Sequence, residues 1–391
     1  MNWIISELFY PDEVSTARIL TDIALRKVEE IDLNVICGPS GYEKSYNIQN
    51  KDLDNRIKIF RISLPTLNKN KLIQRGLRLI LLTFKMSWVV LIKVKRNDHV
   101  FITTNPAFLV ITIALLKRLK GFHLEILVHD VFPENLVPAG LIKKDSFKYK
   151  FLSKIYNTSY RNTDRIIVLG EDMKILLQQK IFPKNVKIDV IPNWSDNDIF
   201  PLHDFNISDY LGIDVKNKIV IGFFGNLGRL QGILEFIELM KKSGNSTIAL
   251  VIIGDGALKL VLKDKLKNEN LYNVYYLGSI GRIEQNAFLN ACHIGLVTLI
   301  NGMKGLGVPS KAYNLMAAAK PLLYIGDKYS EIDNYVTSFD CGWSFSWDNE
   351  IEILSLLKNL SIESLPSIFE KGLKSKTASE NFKKDNLLNL F

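Results

Sequence analysis

Apolar residues recur along this chain in short unbroken runs, each bounded by glycine, proline or polar residues and separated from the next by a stretch of helical period. Runs of this kind are what strands covered on both faces of a parallel sheet require. In the first half they predict strands at Asn2–Ser6, Leu33–Cys37, Arg56–Ile62, His99–Thr103, Leu124–Val128, Arg165–Leu169 and Val186–Ile191. Helices are predicted from Ser15 or Thr16, either of which could cap, to about Glu30, then over Leu72–Val94, Phe108–Lys120 and Phe147–Arg161. Pro192-Asn193-Trp194 closes this half, and the polar, Asp-rich stretch from Ser195 to Asp214 reads as a linker. The alternation then restarts, with strands at Ile219–Phe224, Ile248–Ile253, Val274–Leu277, Ile294–Thr298, Leu322–Ile325 and Gly342–Phe345.

The pattern predicts an α/β chain of two doubly wound domains of similar size, 1–195 and 196–374. Ligands of such sheets bind beyond the carboxyl ends of the strands. Two such domains facing each other would leave a central cleft between those ends.

Composition narrows the classes. With 391 residues, 47% of them apolar and 23% charged, the chain can bury two cores without covalent staples. Cys37, Cys292 and Cys341 form no CxxC pair and are odd in number, so buried reduced thiols are expected rather than a zinc site or disulfides. The net charge of +9 suits an anionic partner, but no nucleic-acid-binding signature accompanies it. No basic segment precedes the first strand, so a cleaved signal peptide is not expected.

Leu72–Val94, flanked by Lys71, Lys95 and Arg96, is the one stretch to weigh as a membrane element. Arg75, Arg78, Lys85 and Lys93 interrupt it too often for the roughly 20 apolar residues a spanning helix needs. A surface-lying helix that presents bases to anionic lipid fits, as does a long helix docked on its own domain.

The candidate chemistry gathers at strand ends. Met303–Pro321 runs from a glycine-rich loop (Gly302, Gly305, Gly307) through Val308-Pro309-Ser310 into a helix expected over Lys311–Ala319. A helix start with Ser310 and Lys311 favours an anion such as phosphate, although most helix starts bind nothing. Gly225-Asn226-Leu227-Gly228-Arg229-Leu230-Gln231-Gly232 follows another strand, and Arg229 can pair with phosphate oxygens. Its spacing is not GxGxxG, so the dinucleotide fingerprint is missing. Two cationic, glycine-rich loops on one sheet edge suggest a diphosphate. Asp255-Gly256 reads as a turn and helix cap rather than a metal ligand. His129-Asp130 ends a core strand: His129 could take a proton or hydrogen-bond a sugar hydroxyl, Asp130 could orient it or act as base, and Glu134 is a third candidate. A Ser-His-Asp hydrolase is excluded by the lack of a GxSxG elbow. Glu7, Ser15 and Thr16 flank the turn after the first strand and are expected to face the ligand as well, or simply to cap a helix.

In this order, LFYPDEVSTA, NPAFLVITIALLKRLKG, VHDVFPENLVPAG, VIPNWSD, FFGNLGRLQGI, VIIGDG, NVYYLG, GVPSKAYNLMAAAKP and YSEIDNYV resemble the retaining, nucleotide-sugar-dependent glycosyltransferases of family 4. The branch that builds bacterial O-antigen and capsule polysaccharides is the most similar, over nearly the whole chain. The resemblance implies a GT-B architecture with the donor nucleotide on the second domain, the acceptor on the first, and a C-terminal helix (about 375–391) crossing back to the first. It implies that Arg229, Lys311 and the amides near Ser310 hold the donor diphosphate, that Gly225, Asn226 and Gln231 also bind the donor, that His129 or Asp130 touches the donor sugar, and that Ser15 and its neighbours lie beside the phosphates. Glu331 would stand near the donor. No metal or other cofactor is implied. Many family members carry two glutamates around the last donor loop; here the second aligns with Asn314, which could still bond a ribose hydroxyl, and the first falls near Leu306 with no acid close by. The usual lysine of the first donor loop falls near Gln231, which shifts charge onto Arg229.

The favoured expectation is a transferase moving a sugar from a UDP-sugar to a lipid-diphosphate-linked saccharide, peripheral at the inner face of the cytoplasmic membrane. A non-catalytic membrane partner on the same fold and a sugar-nucleotide epimerase remain open.

Overall fold

The computed structural model describes residues 1–40, 53–65, 72–203 and 205–391, without the side chains of Leu72, Ile73 and Arg75. Lys71 therefore lies outside the described residues. The chain divides into two compact units. The first comprises Met1–Pro192, Gly305–Gly307 and Asp385–Phe391; the second comprises Asn193–Lys304 and Val308–Lys384.

The first unit contains β1 (Asn2–Ser6), α1 (Ser15–Val28), β2 (Leu33–Cys37), β3 (Ile57–Arg61), α2 (Leu72–Lys93), β4 (His99–Thr103), α3 (Leu109–Lys120), β5 (His123–Val128), α4 (Phe147–Tyr160), β6 (Arg165–Val168), α5 (Glu171–Ile181) and β7 (Lys187–Val190). Its seven strands are all parallel, in the order β3-β2-β1-β4-β5-β6-β7. β2 is buried throughout, Asn34 included, whose amide donates to the Asn2 carbonyl at 3.4 Å. The order reverses between β1 and β4, so the loops leaving these strands part there and open a crevice.

In the second unit come α6 (Ile207–Leu211), β8 (Ile219–Phe224), α7 (Ile233–Ser243), β9 (Ile248–Ile253), α8 (Lys259–Asn268), β10 (Val274–Gly278), α9 (Gln285–Asn290), β11 (Ile294–Thr298), α10 (Lys311–Ala317), β12 (Leu322–Ile325), α11 (Glu331–Ser338), β13 (Gly342–Phe345), α12 (Glu350–Asn359) and α13 (Leu365–Ser379); α14 (Lys384–Leu388) follows and, from Asp385 on, belongs to the first unit. Six parallel strands run β10-β9-β8-β11-β12-β13, with the reversal between β8 and β11. Its core is built on Ile221, Phe223, Leu250, Ile252 and Leu296 from the strands and on Phe236 and Ile237 from α7.

Strand limits agree with the hydrophobic pattern to within one residue at each end. The differences lie at helix ends and in the linker. Neither Ser15 nor Thr16 caps α1; Val14 holds the cap position and no side chain bonds there. α10 stops at Ala317, and the turn that follows places Ala319 at φ +56°. The stretch expected as linker contains α6, started by Asn206, whose side chain accepts from the Asp209 N–H at 3.2 Å, and ended by Gly212 in the left-handed region. The C-terminal segment is not one crossing helix. Glu380–Phe382 tightens into a 3-10 turn, Lys383 is extended and bridges to Ser195, and only Asp385–Phe391 clusters with the first unit.

The long helix α2 is sharply two-sided. Arg78, Leu82, Met86, Val90 and the following Val94 are buried, while Leu77, Ile80, Phe84, Trp88 and Leu91 are exposed on the opposite face. Arg78 is thus not one of the surface bases the charge pattern suggested. No helix among the described residues is long and apolar enough to cross a membrane. All three cysteines are buried and free, and burial pushes the Cys37 thiol up to about 11.

Candidate functional site

The loops that leave β8 and β11 flank the strand-order reversal of the second unit, and Lys311 and Gln231 meet there. Lys311 Nζ donates to Gln231 Oε1 at 2.9 Å and lies 3.6 Å from the centroid of the Phe223 ring. It has no ion-pair partner among the described residues, and burial alone lowers its pKa to about 7. A cation stripped of water with no anion beside it is held at a cost, and an incoming phosphate would relieve that cost. The residue before Gly232, Gln231, is fixed through its carbonyl by the Thr298 hydroxyl of β11, which aims its amide at Lys311.

Gly225 and Asn226 are exposed at the end of β8, as is Arg229, which also has no ion-pair partner among the described residues. The backbone here is pressed against the next loop. Gly225 sits at φ +110°, and a Cβ on Gly254 would lie 1.8 Å from the Gly225 carbonyl oxygen. The Leu227 N–H in turn donates to the Asp255 carbonyl at 2.8 Å. Asp255 does not cap α8: its carboxylate accepts from the Gly256 N–H at 2.7 Å and pairs with Lys259 at 2.6 Å. No cluster of potential metal ligands exists among the described residues.

Three expectations for this unit need correcting. Ser310 precedes α10 in helical conformation and makes no side-chain cap bond. Asn314 does not present a free amide: its Oδ1 accepts from the Asp196 N–H at 2.8 Å and its Nδ2 donates to the Asp196 carboxylate at 3.0 Å. Arg282 pairs with the same carboxylate, so Asn314 ties the first turns of the unit to its helices instead of standing open for a ribose. Glu331 is buried, and its side chain hydrogen-bonds with Tyr335, which also reaches Tyr313. These two tyrosines pack with Phe382 in an aromatic cluster, which makes Glu331 part of the helix packing.

On the strand-end edge of the first unit, the N–H groups of His129 and Asp130 both donate to Thr104 Oγ1 at 3.2 Å. This ties the end of β5 to the end of β4. His129 Nε2 has no hydrogen-bond partner among the described residues, and burial lowers its pKa to about 4. The imidazole is therefore neutral at neutral pH, a hydrogen-bonding group rather than a proton acceptor. Burial raises the Asp130 carboxyl to about 6, which makes it the group here whose proton can exchange near neutrality. Glu134 is not a base: Lys180 pairs with it at 2.6 Å and the Tyr149 hydroxyl donates to it at 3.2 Å. Glu7 is buried too, and Arg78 Nη1 reaches its Oε1 at 2.5 Å, so its charge serves α2 and not a ligand. Ser15 is exposed and Thr16 half-buried in the first turn of α1, on this same edge.

The segment Gly305–Gly307 docks on this edge. The Gly305 N–H donates to Asp172 Oδ2 at 3.0 Å, and the Leu306 carbonyl accepts from the Val131 N–H at 3.0 Å. Gly305 is at φ +73°, and a Cβ on it would meet the Asp172 carbonyl at 2.9 Å. A Cβ on Gly307 would stand 3.1 Å from the His129 carbonyl. The sequence pattern marked these glycines as a phosphate loop; here they are spacers that let the chain lie against β5 and α5. Asp172, Thr104, Phe223 and Asp196 were not singled out by motif. Phe223 and Asp196 lay within stretches that resembled the family, and Thr104 and Asp172 are ordinary strand-end or first-turn residues.

Comparison with known proteins agrees with this layout. Residues 211–363 match the family model described as glycosyl transferases group 1. The chain is 38% identical over 307 residues to a probable glycosyltransferase, WbjE, of Pseudomonas aeruginosa, covering 78% of this chain and 76% of that protein. It is 24% identical over 235 residues to WcaI of Escherichia coli, a putative colanic acid biosynthesis glycosyl transferase, covering 58% of this chain and 56% of that one. A crystal structure of Anabaena Alr3699/HepE in complex with UDP has a similar fold, at a TM-score of 0.70 and 16% identity over 100% of this chain and 98% of that one. Two doubly wound units and this similarity make the fold GT-B.

Proposed function

The chain belongs to the group 1 glycosyl transferases, and we propose that as one of them it moves a sugar from a UDP-sugar to a lipid-diphosphate-linked saccharide in surface polysaccharide synthesis, with retention. The observation that carries this reading is Lys311: a water-poor ammonium, oriented by Phe223 and by Gln231, which belongs to the same glycine-rich loop as the exposed Arg229, and without an ion-pair partner among the described residues. Arg229 and Lys311 would hold the diphosphate and gain most as it leaves, when its charge is greatest. Gly225 and Asn226 would let the phosphates approach the backbone. We assign the sugar-facing roles to His129, which offers a neutral hydrogen-bonding edge, and to Asp130. The polysaccharide context and the UDP moiety are supported by the names of WcaI and the HepE complex. An anionic membrane at the cytoplasmic face is the surface on which such an acceptor is presented.

Calorimetric titration with UDP, and with GDP as control, tests the donor site. UDP should bind selectively, and Lys311→Ala should weaken it by about 2–4 kcal/mol, the usual cost of removing one partner of a desolvated charge pair. Equal affinity in the variant would overturn the assignment of Lys311. Binding of neither nucleotide by folded protein would favour a non-catalytic role on this fold.

A further inference from the structure

The strand order of the first unit puts α2, α3 and α4 in one layer. Each connects a strand to the next in the same direction across the sheet, and right-handed crossovers then place all three on the same face. They pack side by side: Ser87 Oγ of α2 donates to Thr112 Oγ1 of α3 at 2.8 Å, and α4 lies against α3. The inward faces are filled by residues such as Met86, Ile113 and Tyr156.

The outward face is apolar and aromatic. Phe84 and Trp88 of α2 are 65% and 54% exposed, and their rings stack on each other. Leu115 and Leu119 of α3, one helical turn apart, are 58% and 71% exposed. Phe147 and Phe151 of α4 are 82% and 55% exposed and also stack. Water-facing large side chains on three adjacent helices are not the scatter of an ordinary surface.

The charge on these helices has one sign. α2 carries four Lys and Arg, α3 three and α4 three, and none carries an Asp or Glu. Arg78 is spent on Glu7, but Lys85, Lys93, Arg118, Lys148, Lys150 and Lys154 are exposed. A second copy of this face would bring like charges together around the apolar patch. A surface that is anionic outside and apolar within satisfies both features.

We propose that the α2–α3–α4 layer is a membrane-docking face that inserts the side chains of Phe84, Trp88, Leu115, Leu119, Phe147 and Phe151 into an anionic lipid bilayer. The proposal rests on the transferase reading above only for its meaning, since it names the surface that would bring the chain to a lipid-linked acceptor. Binding is insertion, not only adsorption, and α3 and α4 share in it with α2. Attraction by lysines alone would vanish when the Debye length shortens, whereas inserted side chains resist salt.

The test is flotation of the full chain with vesicles of phosphatidylglycerol and phosphatidylethanolamine, against phosphatidylcholine, at about 0.1 and 0.5 M salt. Binding to the anionic vesicles is expected, with a substantial part surviving high salt. Replacing Leu115, Leu119, Phe147 and Phe151 together by Ser removes four exposed apolar groups and leaves the core untouched. Each inserted group is worth about tenfold in partitioning, so a loss of more than a hundredfold is expected. Tryptophan quenching by lipids brominated on their acyl chains should also disappear in Trp88→Phe. Partitioning unchanged in the fourfold variant, or quenching unchanged in Trp88→Phe, overturns insertion. Self-association without lipid that the fourfold variant abolishes would assign the face to a second copy instead. UDP titration of the same variant separates the two readings: intact UDP binding with lost flotation supports the face, and lost UDP binding in folded parent protein would count against the donor site alone.

Discussion

Lys311 should cost the protein stability while it waits for its ligand. Burial moves its pKa from 10.5 to about 7. Each tenfold change in acidity is worth about 1.4 kcal/mol, so keeping the ammonium charged in its site costs on the order of 5 kcal/mol at and below pH 7. The contact with the Phe223 ring and the bond to Gln231 return part of this, about 2 kcal/mol together. Lys311→Met fills the same space without a charge and should therefore stabilise the second unit by about 3 kcal/mol at pH 7. The sign with pH follows from proton counting. Between pH 7 and 10.5 the unfolded chain holds the Lys311 proton and the folded chain does not, so parent stability rises with pH through that window. The Met variant lacks this group, so its advantage should shrink as pH rises through that window and be lost before pH 10.5. Denaturant unfolding followed by tryptophan emission at pH 7, 8.5 and 10 measures this, with Trp343 and Trp347 reporting on the second unit. A variant less stable than its parent at pH 7, or an advantage that does not change with pH, would refute the reasoning. Gaining stability while losing UDP affinity is the mark of a residue kept for binding.

Other expectations are checked by similar means. Lys311→Arg stays charged at every accessible pH, so UDP-sugar affinity should be flat in the variant from pH 7 to 9, while in the parent it should fall by up to about tenfold per pH unit. Isothermal titration across that range decides. Gly254→Ala should abolish UDP binding, because its methyl would overlap the Gly225 carbonyl; Gly244→Ala, with open space around it at φ +63°, should cost only about 1 kcal/mol of stability and leave binding intact. Glu7→Ala should destabilise the first unit by about 3–5 kcal/mol by leaving Arg78 buried without its anion, and Glu7→Leu with Arg78→Met should recover most of that in denaturant unfolding.

Much of the architecture could be read before any coordinates because the strands are buried on both faces. A run such as Ile219–Phe224 or Ile248–Ile253 has no bulky polar interruption to misplace its ends, and each end is marked by a glycine or a polar residue. Topology then made Lys311 and the Gly225–Gly232 loop neighbours, since both follow strands at the order reversal. What pattern could not supply was the partner of each polar side chain. Asn314 and Glu331 sit where a donor contact was expected, yet Asp196 and Tyr335 occupy them. Glu134 looked like a base because nothing in its neighbourhood names Lys180, which comes from the far end of α5.

Arg78 is the instructive case, because its fate was present in the sequence and needed only a different reading. Charge counting groups it with Arg75, Lys85 and Lys93 as a basic helix. Helical phase separates it: Arg78, Leu82, Met86, Val90 and Val94 follow one another at four-residue steps along one stripe, and that stripe is the buried one. An arginine in phase with a core stripe must bring an anion into the core with it. Glu7, the residue that follows β1, is that anion. The exposed stripe of the same helix carries Leu77, Ile80, Phe84, Trp88 and Leu91, so α2 has two apolar faces and one buried charge. A helix that only covered a sheet would need one apolar face. The second face, continued by α3 and α4, is what a helix layer requires when a further apolar phase lies on its other side.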